Sequence, residues 1–107
     1  MKYQVFITGD AERDILDLYD YILSSDSIGS ADYVYKNIKE NCLRLSDFPS
    51  KGHYPLELER IGITEYREIH FKLYRIIYQL IGDKVFIHCV LDGRRDLQEI
   101  LERRLLR

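Results

Sequence analysis

The stretch LYRIIYQLIGDKVFIHCVL, Leu73–Leu91, contains two β-rich runs separated by Gly82 and Asp83. Glycine supplies the positive φ that a tight hairpin turn needs, so one strand is predicted on each side of this turn. A third β-rich run precedes the hairpin and extends it to three antiparallel strands. The predicted strands cover residues 64–70, 73–81 and 84–91.

Two amphipathic helices are predicted upstream of these strands. Apolar residues recur at helical spacing over residues 11–22 and again over 31–45, and a short polar break at 24–29 separates the two stretches. The pattern predicts an antiparallel helical hairpin, with Asp10 as the N-cap of its first helix. Residues 3–8 alternate between apolar and polar side chains, which predicts a strand before the hairpin.

A last helix is predicted at the C-terminal side, because Asp96 and Glu99 have the spacing of a helix-start capping pair. Residues 47–63 are expected to form an ordered connection whose Phe, Tyr and Leu side chains pack on the core. The order β-α-α-β-β-β-α predicts an α+β fold of two layers, an antiparallel sheet covered by the helical hairpin plus the C-terminal helix. We expect residues 1–107 to form a single domain.

The formal charge of −2 conceals an uneven distribution. Residues 1–59 hold 6 basic and 11 acidic side chains, and residues 60–107 hold 10 and 7. The near-neutral total argues against nucleic-acid binding through a broad basic surface, but it permits one local basic site. No apolar run could cross a bilayer and no signal segment is present, so we expect a cytoplasmic protein with no membrane partner.

The sequence offers no pattern for a cofactor or a metal. Cys42 and Cys89 lie in apolar surroundings without CxxC spacing, which favours buried, reduced thiols. No P-loop, GxSxG or HExxH pattern is present. We therefore expect neither a cofactor nor a bound metal.

Arg75 interrupts an apolar row in the middle of a predicted central strand. A charge at this position must be paired or must reach solvent, because burying it alone costs several kcal/mol. One interpretation is an ion pair with Glu68 or Glu65 on the neighbouring strand. The other is a concave sheet face on which Arg67, Arg75 and Arg95 converge on an anion.

The three histidines give weaker signals. His88 alternates with apolar residues and could act as a general acid or base, although a lone histidine in a strand is more often structural. His53 and His70 lie in or beside loops, with no partner evident from the sequence.

Five short fragments, taken in order, resemble a known pattern. They are Phe48-Pro49 with Gly52, Glu57-Leu58, Tyr66-Arg67-Glu68, Tyr74-Arg75-Ile76-Ile77-Tyr78 and Val90-Leu91-Asp92-Gly93-Arg94-Arg95-Asp96. On these fragments the chain resembles the RelE/ParE superfamily of type II toxin-antitoxin toxins, from Val5 to about Arg104. The resemblance implies a small toxin, associated with plasmid stabilisation, that a cognate antitoxin neutralises.

The resemblance leaves two activities open. RelE-like members cut mRNA on the ribosome, whereas ParE-like members poison DNA gyrase. For a metal-independent ribonuclease the catalytic candidates are Arg67, Arg75, His88 and Arg95. However, Leu101 stands where RelE carries its catalytic tyrosine, and residues 99–107 contain neither Tyr nor His.

We therefore favour a ParE-like, non-enzymatic gyrase inhibitor that is bound by an antitoxin. The alternatives are a ribosome-dependent mRNA endoribonuclease, with the ribosome and mRNA as partners, and a family member that has lost toxicity. The partner-binding candidates, chosen by charge and expected exposure, are Arg94, Arg95, Arg103 and Arg104.

Overall fold

Four strands form one sheet in the computed structural model, which describes residues 2–106. The strands are β1 (Gln4–Ile7), β2 (Tyr66–Phe71), β3 (Tyr74–Ile81) and β4 (Lys84–Asp92), in the spatial order β1-β4-β3-β2. The helices are α1 (Gly9–Ser25), α2 (Ile28–Arg44), the single-turn α3 (Leu56–Glu59) and α4 (Gln98–Leu105). The predicted α+β fold is confirmed, with α3 as an addition.

The predicted three-stranded meander is present, because β2, β3 and β4 pair antiparallel in sequence order. Gly82 adopts a φ of 60° in the β3–β4 turn, as the glycine signal predicts. β1 instead pairs with β4 in parallel, with Val5 opposite Val85. The sheet is therefore mixed rather than wholly antiparallel, which corrects the expected pairing of the first strand.

The helical hairpin begins two residues earlier than expected. The hydroxyl of Thr8 accepts a hydrogen bond from the backbone N–H of Ala11, so Thr8 and not Asp10 is the N-cap of α1. Ser27 caps α2 in the same way, through the N–H of Ser30. Apolar side chains of both helices pack on one face of the sheet and form the larger core with β3 and β4.

A second, smaller core lies on the opposite face of the sheet. Leu58 of α3 and Leu101 of α4 pack there against Ile77, Cys89 and other residues, and both leucines are fully buried. α4 begins at Gln98, two residues after Asp96, whose carboxylate accepts the N–H of Gln98. The expected capping pair with Glu99 is therefore wrong, although Asp96 does bond the start of the helix.

The connection between α2 and β2 is ordered and contains a single 3-10 turn, Pro49–Lys51, before α3. Leu58 is buried as expected, but Phe48 and Leu56 are 71% and 61% exposed, so the prediction that these two side chains pack on the core is wrong. Within residues 2–106, no helix has the length and apolarity needed to cross a membrane.

Candidate functional site

Arg75 lies at the centre of a group of charged side chains on the face of the sheet that carries α3 and α4. Its guanidinium donates to both carboxylate oxygens of Glu57 at 2.6 and 2.7 Å and to both oxygens of Glu68 at 2.7 Å. Of the two interpretations of Arg75, the ion pair is therefore confirmed, with Glu68 as the partner on the neighbouring strand. Glu57, Glu68 and Arg75, together with His53 and His70, are called the Arg75 cluster below.

The three charged side chains at the centre of the cluster are largely shielded from water, and the two carboxylates share the single positive charge of Arg75. The side chains of Arg75, Glu57 and Glu68 are 13%, 15% and 2% exposed. Hydrogen bonds from Arg75 hold the pKa of Glu57 below its ordinary value. Burial opposes the ionisation of Glu68, but hydrogen bonds from Arg75 and His70 outweigh it and lower the pKa of this carboxyl too. The pKa of Arg75 is raised, chiefly by its hydrogen bonds to Glu57.

Two histidines that the sequence left without partners belong to this cluster. Nε2 of His70 lies 2.7 Å from Oε1 of Glu68, and Nε2 of His53 lies 4.0 Å from Oε2 of the same carboxylate. His53 reaches this position through an isolated β-bridge with Glu68. A bridge between a connection and a strand leaves no periodic signal in the sequence, which is why the pairing was missed.

Arg67 lies on the other face of the sheet. The β2–β3 register places Arg67 opposite Tyr78 of the larger core, whereas Arg75 is opposite His70. Directly paired residues point to the same face, so Arg67 and Arg75 do not converge as the anion-site interpretation expected. Arg67 instead donates to the carbonyl of Gly52 at 3.0 Å, and its guanidinium lies 5.0 Å from the ring centroid of Tyr54.

His88 occupies an irregular position in β4. Cys89 pairs with Ile77 and Ile87 pairs with Tyr78, so His88 is the extra residue of a β-bulge. Its Nε2 lies 3.0 Å from the amide oxygen of Gln79. Burial, with the charge of Arg104 nearby, lowers the pKa of His88 and favours the neutral imidazole.

Arg95 lines an open groove between α1 and the end of β4. The groove has a volume of about 400 Å³ and is also bordered by Asp14, Asp17, Leu18 and Tyr21. Arg95 is exposed, and among the described residues it forms no ion pair. This groove, with Arg95 at its rim, is called the Arg95 groove below.

The remaining partner-binding candidates differ in how far their charges are engaged. The exposed Arg94 forms an ion pair with Asp92 at 2.7 Å. Arg104 donates to both oxygens of Asp14 and to the carbonyl of His88, so its donors are engaged between α4, α1 and β4. Arg103 is exposed on α4 and has no ion pair within residues 2–106.

The two cysteines contribute no reactive group. Both are fully buried, as predicted, and neither forms a disulfide. Burial raises the pKa of each thiol to about 12, which keeps them protonated at neutral pH.

The fold is that of toxins from type II toxin-antitoxin systems. The chromosomal ParDE system of P. aeruginosa provides a structure with a TM-score of 0.69 at 14% identity, covering 83% of this chain and 94% of that one. The RelBE2 toxin-antitoxin complex of Mycobacterium tuberculosis gives 0.64 at 21% identity, with 86% and 92% covered. A free arginine-substituted mutant of the E. coli toxin RelE gives 0.66 at 16% identity, with 99% and 97% covered.

The sequence also identifies the family within this fold. Residues 5–97 match the family model described as the ParE toxin of the type II toxin-antitoxin system parDE, and the chain belongs to this family. The match runs from β1 through β4 and ends directly before α4. No curated protein matches the chain in sequence.

Proposed function

We propose that this ParE-type toxin inhibits DNA gyrase by binding to it, without cleaving a nucleic acid, and that a cognate antitoxin neutralises it. The family match supports a toxin, and two of the similar structures are toxin-antitoxin systems by name, which supports an antitoxin partner. Action on gyrase requires a cytoplasmic location.

The pairing of Arg75 with two carboxylates is what favours binding over cleavage. Two carboxylates already occupy its guanidinium, and Glu57, Glu68 and Arg75 together carry a charge of −1. A phosphate at this face would meet an excess of negative charge, which disfavours RNA. Leu101 is fully buried in the smaller core and has no group that could transfer a proton.

The Arg95 groove is the surface that we propose contacts gyrase. Arg95 and Arg103 are exposed cations that no carboxylate among residues 2–106 neutralises, so their charges remain available to a partner. The groove adds apolar surface from Leu18 and Tyr21 beside Arg95, whereas Arg103 lies outside the groove on α4. A partner segment that sets an acidic side chain against Arg95 and apolar side chains against Leu18 and Tyr21 suits this arrangement.

Induced expression in a bacterium that lacks the antitoxin tests the target. We expect growth arrest with filamentation and a DNA-damage response, and the purified chain should inhibit DNA supercoiling by gyrase. Translation arrest with new mRNA 5′ ends inside codons would contradict the proposal and identify the ribonuclease activity. Soluble expression with no arrest would contradict toxicity itself.

A matched pair of variants links the target to the surface. Arg95→Ala combined with Arg103→Ala should relieve the arrest while leaving the fold intact, because neither side chain is part of a core. Arg13→Ala, which removes an exposed cation from α1 outside the groove, is the control and should leave the arrest unchanged.

A further inference from the structure

Three side chains of the Arg75 cluster bring metal-ligating atoms together. The imidazole nitrogens of His53 and His70 and a carboxylate oxygen of Glu68 lie within 4.8 Å of one another. Two imidazoles and one carboxylate, with further positions open to water, form a ligand set typical of zinc and other divalent transition metals. Ligand atoms around a tetrahedral zinc are separated by roughly 3.3 Å. A small rotation of the half-exposed imidazoles would therefore bring the three ligand atoms to this spacing.

The backbone fixes the relative positions of the three residues. His53 and Glu68 exchange both backbone hydrogen bonds across their bridge, at 3.1 and 2.7 Å. His70 follows Glu68 by two residues in β2, so both side chains point to the same face of the sheet. Glycine is required next to the bridge, because a Cβ on Gly52 would lie 2.6 Å from the carbonyl oxygen of Glu68. The three ligands are thus held together without any metal.

The charge and the unused lone pairs also favour a cation. The two negative charges of Glu57 and Glu68 exceed the single positive charge of Arg75 by one. Oε2 of Glu68 accepts one hydrogen bond, from Arg75, among residues 2–106, and a carboxylate oxygen can accept two. The free position is on the oxygen nearest to His53, at 4.0 Å. An open cavity of about 320 Å³, lined by both histidines, gives a metal ion and its waters access from solvent.

We propose that His53, Glu68 and His70 form a binding site for one divalent transition metal ion of the zinc type. The ion ties the connection that carries His53 to β2 and compensates the negative charge of the cluster. It would therefore stabilise the folded chain without taking part in toxin action, and this inference does not depend on gyrase being the target.

Calorimetric titration of the untagged, full-length chain with Zn²⁺ tests the site, at a mildly alkaline pH where free imidazole is neutral. His53→Gln and His70→Gln are the test variants. His88→Gln is the matched control, because His88 is a half-buried histidine outside the cluster. Glu68 is left intact, since its removal would leave Arg75 without a main partner.

We expect the wild type and His88→Gln to bind one Zn²⁺ per chain, and each test variant to bind at least about tenfold more weakly. Zn²⁺ should also raise the melting temperature of the first two proteins and not of the test variants. Co²⁺ in place of Zn²⁺ should give a visible absorption band that the test variants lose. Absence of one-to-one binding, or equal affinity in both test variants and the wild type, would overturn the proposal.

Discussion

Arg75 and Arg95 lie in opposite electrostatic environments although both are arginines of the basic half of the chain. Arg75 is 13% exposed and donates four hydrogen bonds to two carboxylates. Arg95 lies exposed on the rim of a groove, without an ion pair inside the described part of the chain. The first charge holds the fold together, and the second remains available to a partner.

The difference shows why a count of arginines says little about a binding surface. Arg104 resembles Arg75, because its donors are engaged by Asp14 and by the carbonyl of His88. Arg103, one residue earlier on α4, resembles Arg95. Substitution of Arg75 or Arg104 should therefore lower stability. Substitution of Arg95 or Arg103 should instead lower toxicity.

The largest loss of stability is expected for Arg75→Ala. The substitution leaves the carboxylates of Glu57 and Glu68 facing each other without a cation, which should cost about 3–5 kcal/mol of unfolding free energy. Urea denaturation at neutral pH measures the loss. A change below about 1 kcal/mol would contradict the structural role of Arg75, because its charge would then be as available to a partner as that of Arg95.

Gly52→Ala should come next, because it disturbs the backbone that supports the cluster. The added Cβ would lie 2.5 Å from Oη of Tyr78, a hydroxyl that accepts the N–H of Gly52 and donates to the carbonyl of Pro49. We expect a loss of about 2 kcal/mol in the same denaturation experiment.

Gly29→Ala is the matched control for that substitution. Its Cβ would meet no atom closer than 3.9 Å, and alanine is the better helix former, so stability should rise by up to about 1 kcal/mol. Equal effects at the two glycines would contradict the packing argument.

Glu57→Gln should have a smaller, pH-dependent effect. Losing the charged partner of Arg75 should cost about 1–2 kcal/mol at neutral pH. The folded-state pKa of Glu57 is lowered from an ordinary 4.5, so its stabilisation is present above that value and is lost as the pH falls through the folded pKa. The urea midpoints of wild type and variant should therefore converge on acidification. A constant difference would contradict an ionic role for Glu57.

The smallest change in stability is expected for Arg95→Ala. The side chain is exposed and lies outside both cores, so the unfolding free energy should change by less than about 0.5 kcal/mol. Under the proposed function its toxicity should nevertheless fall, and Arg95→Lys should retain more of it. Growth of cells expressing the two variants at matched levels measures this effect. Full toxicity of Arg95→Ala together with Arg103→Ala would locate the contact elsewhere.

Local patterns in the sequence were sufficient to predict most helices and strands. The apolar spacing of Ala11–Ile22 and Ala31–Leu45 predicted the hairpin, and Gly82 predicted the turn that joins β3 to β4. These signals concern neighbouring residues, so one sequence contains them completely. The parallel pairing of β1 with β4 depends on residues some 80 positions apart and produced no local pattern.

The separation of Arg67 from Arg75 could not be predicted for a related reason. Which side chains share a face depends on the β2–β3 register, and the register depends on the turn. Lys72 adopts a φ of 52° in that turn, a conformation that glycine would have indicated and lysine does not. The contacts of Arg75 with Glu57 and of Glu68 with His53 likewise join the α2–β2 connection to the sheet over long sequence distances.

The parallel pairing of β1 with β4 also has a consequence for the order of folding. α1 and α2 contact each other across a short connection and can form while the chain is still being synthesised. β1 has no strand partner until residues 84–92 exist, because β4 is the strand it pairs with. During synthesis β1 therefore has no strand partner until β4 has been made, and the sheet is completed only after β4 has left the ribosome.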